Sequence, residues 1–259
     1  MERKLIALDI DGTLLNSHRE PLDSTIEALK TLRTAGHLVI IATGRSRLLA
    51  GEVIHKLGCT NYIVCNGSAA FLDHEQIYKR TLDREALDRL LTFASEHKKD
   101  ITLFSLDTIA RVTDFNAPLV AEAMNSFGGI VPKFQPDFLG RHEVYQGCVY
   151  FDSSMDEVFS TAFPEFRFVR WHPESVDIVP RSGSKAATIS ALAERVGIKQ
   201  EHIITFGDGN NDVEMLELAG TGVAMGNAAP HVQQAANLVT DTNDQDGIYN
   251  ALRKLKLVG

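Results

Sequence analysis

The chain has 259 residues, 44% hydrophobic and 23% charged, a globular composition that can bury a sizeable core and excludes a disordered or collagen-like chain. Its formal net charge is −8, from 26 Lys plus Arg against 34 Asp plus Glu. That balance argues against nucleic acid or an anionic membrane as partner, so an anionic substrate has to be held by a local site or a metal. The three cysteines, Cys59, Cys65 and Cys148, form no C-x-x-C, and no apolar run approaches the ~18 residues of a membrane span. Asp9 and Asp11 interrupt the first apolar run, so no secretory leader is read there and a cytoplasmic location is expected.

Residues 5–8 predict a short buried strand. Leu22, Ile26, Leu29 and Leu32 recur at helical spacing, with Ser24 and Glu27 placed for a capping box. Residues 38–42 predict a second buried strand, 46–57 a helix and 62–65 a third strand. Continuous apolar strands alternating with helices point to a parallel sheet covered on both faces. The middle of the chain differs: 11 of the 13 Phe and the single Trp, Trp171, lie between residues 81 and 180, whereas 15 of the 19 Gly lie outside it. Hairpins are predicted at 101–105 with 108–112 and at 166–170 with 174–179, and helices at 83–98 and 153–163. This pattern predicts an α+β domain with an antiparallel sheet, inserted into the first. The α/β pattern then resumes, with a helix through Ile189, Leu192, Ala193 and Val196 and strands at 202–206 and 221–225.

Chemistry-bearing residues follow the strands. Asp9-Ile10-Asp11-Gly12-Thr13-Leu14 begins where the first strand ends, which is where open α/β sheets bind ligands. On an extended chain residues i and i+2 point the same way, so Asp9 and Asp11 are expected to face one site. Gly207-Asp208-Gly209-Asn210-Asn211-Asp212 follows a second apolar strand. If the two strands are central and parallel, four carboxylates converge and repel one another unless a cation sits among them. Hard oxygen donors of this kind suit Mg²⁺. A calcium loop is excluded by Val213 and Ala219 at its sixth and twelfth positions, and a dinucleotide fingerprint by Asp212 in place of the third Gly. Thr43-Gly44-Arg45, again after a strand, reads either as an anion site or as a plain helix cap. Lys185 opens the helix after the middle block and by itself reads as a surface charge. Its Ser182-x-x-Lys185 spacing lacks the partner motifs of penicillin-binding enzymes.

Taken together, D-x-D-G-T-L, T-G-R, Lys185 and G-D-G-x-N-D resemble the haloacid dehalogenase superfamily of aspartate-nucleophile phosphatases. Val223-Ala224-Met225-Gly226-Asn227-Ala228 and Asp246-Gly247 resemble its Cof-like branch. The departures are Ala186 where Gly is common and Gln233 where Lys is common. The resemblance implies a doubly wound, Rossmann-like catalytic core of residues 1–80 and 181–259, and an α+β cap of residues 81–180 that sets specificity. It implies a phosphatase in which Asp9 is the nucleophile and Asp11 the general acid and base. Mg²⁺ would be held by Asp9, Asp11 through its backbone carbonyl, Asp208 and Asp212, the last as ligand or as support for Lys185. Thr43, Gly44, Lys185 and Asn211 would bind the phosphoryl group, and Arg45 and Asn66 would line the substrate side. Arg111, His142, Arg170 and His172 are polar cap residues able to face inward. The expected substrate is a small phosphorylated metabolite such as a sugar phosphate, pyridoxal phosphate or flavin mononucleotide, with no nucleic acid, membrane or protein partner. A phosphotransferase or phosphomutase of the same superfamily, or a non-catalytic sensor of phosphorylated metabolites, is the alternative.

Overall fold

The computed structural model describes residues 2–259. In chain order the elements are β1 (Leu5–Leu8), α1 (Asp23–Thr34), β2 (Leu38–Ala42), α2 (Arg47–Lys56), β3 (Tyr62–Val64), β4 (Ala69–Leu72) and β5 (Glu75–Lys79). Then come α3 (Arg84–Glu96), β6 (Ile101–Phe104), β7 (Ile109–Arg111), α4 (Ala117–Ser126), α5 (Phe138–Arg141), β8 (Gln146–Val149), α6 (Asp156–Ala162), β9 (Phe166–His172) and β10 (Ser175–Pro180). The chain closes with α7 (Lys185–Arg195), β11 (Ile203–Gly207), α8 (Val213–Leu218), β12 (Thr221–Ala224), α9 (Pro230–Gln234), β13 (Leu238–Val239) and α10 (Gly247–Lys254). They form two compact units. One runs to Gly44 and resumes over Gly51–Tyr78 and Ser184–Gly259; the other comprises Arg45–Ala50 and Lys79–Gly183.

The first unit is built on a sheet of order β13-β12-β11-β1-β2-β3-β4-β5. From β13 through β3 neighbouring strands are parallel. β4 returns antiparallel to β3, with Ile63 opposite Ala70, so the sheet is mixed where continuous parallel pairing is expected. β1 is apolar throughout and fully buried. Its alternate residues Leu5 and Ala7 join Leu38, Ile40, Ile189, Leu192 and Met215 on one face, which leaves Ile6 and Leu8 to the opposite face by the pleat. Numbering turns back between β1 and β11, and that reversal is the topological switch point where doubly wound folds bind ligands.

The capping box expected at Ser24 and Glu27 does not form. The cap of α1 is Leu22, with no side-chain bond, because the Ser24 hydroxyl donates to Asp246 (2.5 Å) and Glu27 pairs with Lys30. A partner 222 residues away in sequence displaces the local one.

The second unit is an antiparallel sheet of order β7-β6-β8-β10-β9. Its phenylalanines explain the composition shift: Phe138, Phe151, Phe159, Phe163 and Phe166 join Leu87, Leu90 and Ile178 in one core against α3 and α6. Val120, Ala123 and Met124 of α4 pack with Cys148 and Tyr150 in a second, smaller core. Arg111 and Arg170 are engaged within this unit, Arg111 with Asp100 and Asp114, and Arg170 with Asp156 and the carbonyls of Phe151 and His172. Among the described residues no helix is long and apolar enough to cross a membrane.

Candidate active site

Pairing of β1 with β11 places Leu8 beside Phe206, and the Asp9 amide extends the ladder by donating to the Phe206 carbonyl (3.0 Å). The acidic residues that follow the two strands are therefore neighbours. After Asp9 the chain winds into a tight turn, in which the amides of Leu14 and Leu15 donate back to the carbonyls of Asp9 and Ile10. Asp9 is buried and Asp11 is exposed, yet Asp11 stays close enough for its charge to act on Asp9. Gly12 (φ +75°) makes the turn possible; a Cβ there would lie 2.2 Å from Asp208 Oδ2, a position that only glycine fills.

Carboxylate oxygens of Asp9, Asp208 and Asp212 lie within 4.8 Å of one another. Lys185 is inserted among them: its ammonium donates to Asp9 Oδ1 (2.5 Å) and Asp212 Oδ1 (2.7 Å) and is 1% exposed. Burying an ammonium is costly without ionic partners, and the chain arranges them through backbone packing. Ser184 caps α7 by accepting from the Ala187 amide (3.2 Å). Gly67, at φ +98°, lets the Ser184 backbone approach so closely that a Cβ would meet its carbonyl oxygen at 2.3 Å. Thr188 then donates to the Gly67 carbonyl (2.7 Å).

Each carboxylate has its own set of donors. Asp212 Oδ2 accepts from the amides of Asp208 and Gly209, both at 3.0 Å, so both of its oxygens are engaged. Asp208 Oδ1 accepts from the Thr13 hydroxyl (2.8 Å). Burial and the charge of Asp212 push the Asp208 carboxyl up to about 7, against the Thr13 bond that lowers it. Burial, then Asp212, also holds Asp9 well above the usual carboxylate range despite Lys185, and Asp11 is close enough for its charge to add to both. Burial would pull Lys185 down, but Asp212 and Asp9 outweigh it and the ammonium stays above its ordinary value. With all three carboxylates ionised, one lysine leaves two negative charges uncompensated. That deficit, presented by hard oxygen donors, fits a divalent cation such as Mg²⁺.

A second group gathers beside these. Thr43 and Asn66 follow β2 and β3; the Thr43 amide donates to Ile63 and the Asn66 amide to Thr43 (2.9 and 3.1 Å). Asn211 Nδ2 donates to Asn66 Oδ1 (3.0 Å). Cys65 and Asn66 both have φ +52°, consecutive non-glycine residues in the left-handed region, a strain typical of functional loops. Arg45 lies in the second unit, where its guanidinium donates to the Leu49 carbonyl (3.2 Å) and lies 5.5 Å from the Phe127 ring. Thr13 and Gly67 carry parts of the site to which the sequence reading assigned no role. Thr13 sits inside the first acidic motif, and Gly67 closes an Asn-Gly pair, a favoured turn signal.

A model of the haloacid dehalogenase-like hydrolases matches residues 6–252. The chain belongs to this family and is a hydrolase. YkrA of Bacillus subtilis is 37% identical over 258 residues, covering all of both chains. The pyridoxal phosphate phosphatase YbhA of Escherichia coli is 30% identical, with 96% of this chain and 97% of that protein aligned. Among solved structures, the subclass IIB sugar phosphatase BT4131 superposes with a TM-score of 0.88 at 28% identity, over 98% of this chain and all of the other. The fold, a parallel-sheet core with a separate antiparallel α+β part, is the family's.

Proposed function

We propose that this hydrolase is a Mg²⁺-dependent phosphatase of small phosphorylated metabolites. The observation that carries the reading is the buried group of Asp9, Asp208 and Asp212 around Lys185 at the switch point of the sheet. In it a carboxylate that can act as nucleophile sits beside a cation and a divalent-metal donor set. Asp9 attacks phosphorus in line, the bond to the ester oxygen breaks, and Asp11 gives that oxygen its proton. The phosphoryl group is then an acyl phosphate on Asp9. Asp11 takes a proton from a water, which attacks phosphorus and releases inorganic phosphate and free Asp9. Such acid–base assistance contributes ~10²–10⁴-fold. The exposure of Asp11 suits a group that must reach the leaving oxygen and then water.

Lys185 neutralises the transferring oxygens, with Thr43, Gly44 and Asn211 orienting them and Asn66 and Arg45 on the substrate side. Asp9, Asp208 and the Asp11 carbonyl would hold Mg²⁺. Asp212 is spent on Lys185 and two amides, so it positions the lysine. When bound, Mg²⁺ supplies positive charge for the equatorial phosphoryl oxygens. The pyridoxal phosphate and sugar phosphatase relatives support a small phosphomonoester as substrate, with residues 81–180 assigned the choice among them.

The test is phosphate release from a panel of phosphorylated metabolites, with Mg²⁺ and with chelator, for wild type and Asp9→Asn. Release that needs both the metal and Asp9 is expected. Release persisting with chelator, or in Asp9→Asn, overturns the reading.

A further inference from the structure

The Gly226-Asn227-Ala228 turn has no part in the chemistry above, yet the fold carries it to the nucleophile loop. Asn227 Nδ2 donates to the Gly12 carbonyl at 2.9 Å and lies 3.5 Å from Asp208 Oδ2. Its Oδ1 accepts from the Asn243 amide at 3.0 Å. A backbone N–H can only donate, so this bond fixes which way the amide points: the oxygen faces Asn243 and the nitrogen faces Gly12 and Asp208. The turn is itself anchored. Gln233 Nε2 donates to the carbonyls of Gly226 (3.2 Å) and Ala228 (3.0 Å), and the Gly226 amide donates to the Asp241 carbonyl (3.0 Å). The loop that supplies the Asn243 amide also grips the nucleophile loop directly. Asn243 Nδ2 donates to the Leu15 carbonyl (2.7 Å), and Asp244 Oδ1 accepts from the Ser17 amide (2.8 Å).

Asp208 is thereby addressed from two sides, Oδ1 by the Thr13 hydroxyl at 2.8 Å and Oδ2 by Asn227. Thr13 moves with the nucleophile loop. Asn227 is tied to the late turns and bonds that loop at Gly12. One amide therefore couples the position of the loop bearing Asp9 and Asp11 to the rotation of the Asp208 carboxylate. We propose that Asn227 is a positioning residue, which holds Asp208 and the 9–12 loop at the spacing a divalent cation requires. The inference rests on the metal-dependent reading above. Asn227 acts through Gly12 and Asp208, because the atom it turns toward them is a donor and no ligand. Residues that orient metal ligands in this way change metal affinity or activity by ~10–100-fold when removed.

Asn227 is exposed, so its truncation leaves no cavity. The experiment titrates Mn²⁺ into metal-free protein, reading free Mn²⁺ by electron paramagnetic resonance, for wild type, Asn227→Ala and Asn227→Ser. Phosphate release against Mg²⁺ concentration is measured alongside. The expected result is a Mn²⁺ dissociation constant raised ~10-fold or more in both variants. The half-saturating Mg²⁺ should rise in parallel, with the KM for substrate at saturating Mg²⁺ and the metal-free melting temperature nearly unchanged. Wild-type Mn²⁺ affinity in either folded variant overturns the proposal. If wild type binds Mn²⁺ but releases phosphate from no substrate, the phosphatase reading fails while the Mn²⁺ titration still decides the role of Asn227. If wild type binds no Mn²⁺, both fall.

Discussion

Two buried acidic sites, one in each unit, are built on opposite principles. In the second unit Asp100, 2% exposed, is enclosed by donors: the amides of Phe115 and Asn116, the Thr113 hydroxyl and the guanidinium of Arg111. One charge meets four donors, which is how a folded chain makes a buried carboxylate tolerable. In the first unit one ammonium serves Asp9 and Asp212 while Asp208 has the Thr13 hydroxyl, and the carboxyls of Asp9 and Asp208 are raised. The first arrangement ties a loop down. The second leaves a deficit of positive charge that protons or a bound cation make good, so the balance of charge and donors separates the two acidic sites better than burial does.

The sharpest way to break this contrast is to neutralise one acid in each site. Asp9→Asn should lower kcat for phosphate release by at least ~10⁴-fold, as loss of a covalent nucleophile does. The metal-free protein should melt no lower at pH 8, because the substitution removes a charge that its surroundings disfavour. Phosphate assays and thermal melts check both. A clear fall in melting temperature would show that Asp9 supports the fold as Asp100 does.

Lys185→Met tests the other side of the balance. It leaves Asp9 and Asp212 without their cation, so about 3–5 kcal/mol of stability should be lost at pH 8, together with most activity. The loss should shrink toward pH 5, where Asp9 and Asp208 accept protons instead. Urea unfolding at the two pH values measures this, and a pH-independent loss would contradict the proposed coupling.

How much of this was legible in the chain depends on whether the cause is local. The strands before Asp9 and Asp208 announce themselves as unbroken apolar runs, and the convergence of their acids depends on their pairing, which β1 and β11 make. Lys185 is different. Nothing near it in sequence distinguishes it from a surface lysine, and only the resemblance singled it out. Its burial is produced by Gly67, more than a hundred residues earlier, letting the Ser184 backbone in. The capping box at Ser24 failed for the same kind of reason, since Asp246 competes from the far end of the chain. β8 was not foreseen at all, because Gln146-Gly147-Cys148-Val149 lacks the apolar alternation of a half-exposed strand. Its polar positions are buried, Cys148 against the Ser175 hydroxyl at 2.7 Å, so they read as loop.

Asp100→Ala sharpens the comparison from the structural side. The loss of one buried acceptor removes the partner of two amides and one of the two carboxylates that pair with Arg111, and about 1–3 kcal/mol should go with it. Since the hydrogen bonds of Asp100 run to residues of its own unit, kcat and the Mg²⁺ requirement should stay within about two-fold. Denaturant unfolding monitored at Trp171 and the phosphate assay read the two effects separately. A raised Mg²⁺ requirement would mean that the two acidic sites are not independent.

The smallest effect is the one that tests the deficit most directly. Asp208 has its carboxyl raised from 3.8 to about 7. A group raised on folding favours the folded state fully below its unfolded value, and that contribution is lost as pH rises through the folded one. On Asp208's account the metal-free protein should therefore lose stability between pH 6 and pH 8, with Asp9 acting in the same direction. Mg²⁺ needs the deprotonated carboxylates and competes with those protons. Its binding to the native state should raise the melting temperature by more at pH 8 than at pH 6. Thermal melts with chelator and with saturating Mg²⁺ at each pH measure the difference, expected as a few degrees. Equal shifts at both values would mean that the acidic group is already balanced without a metal, as Asp100 is, and the distinction between the two sites would collapse.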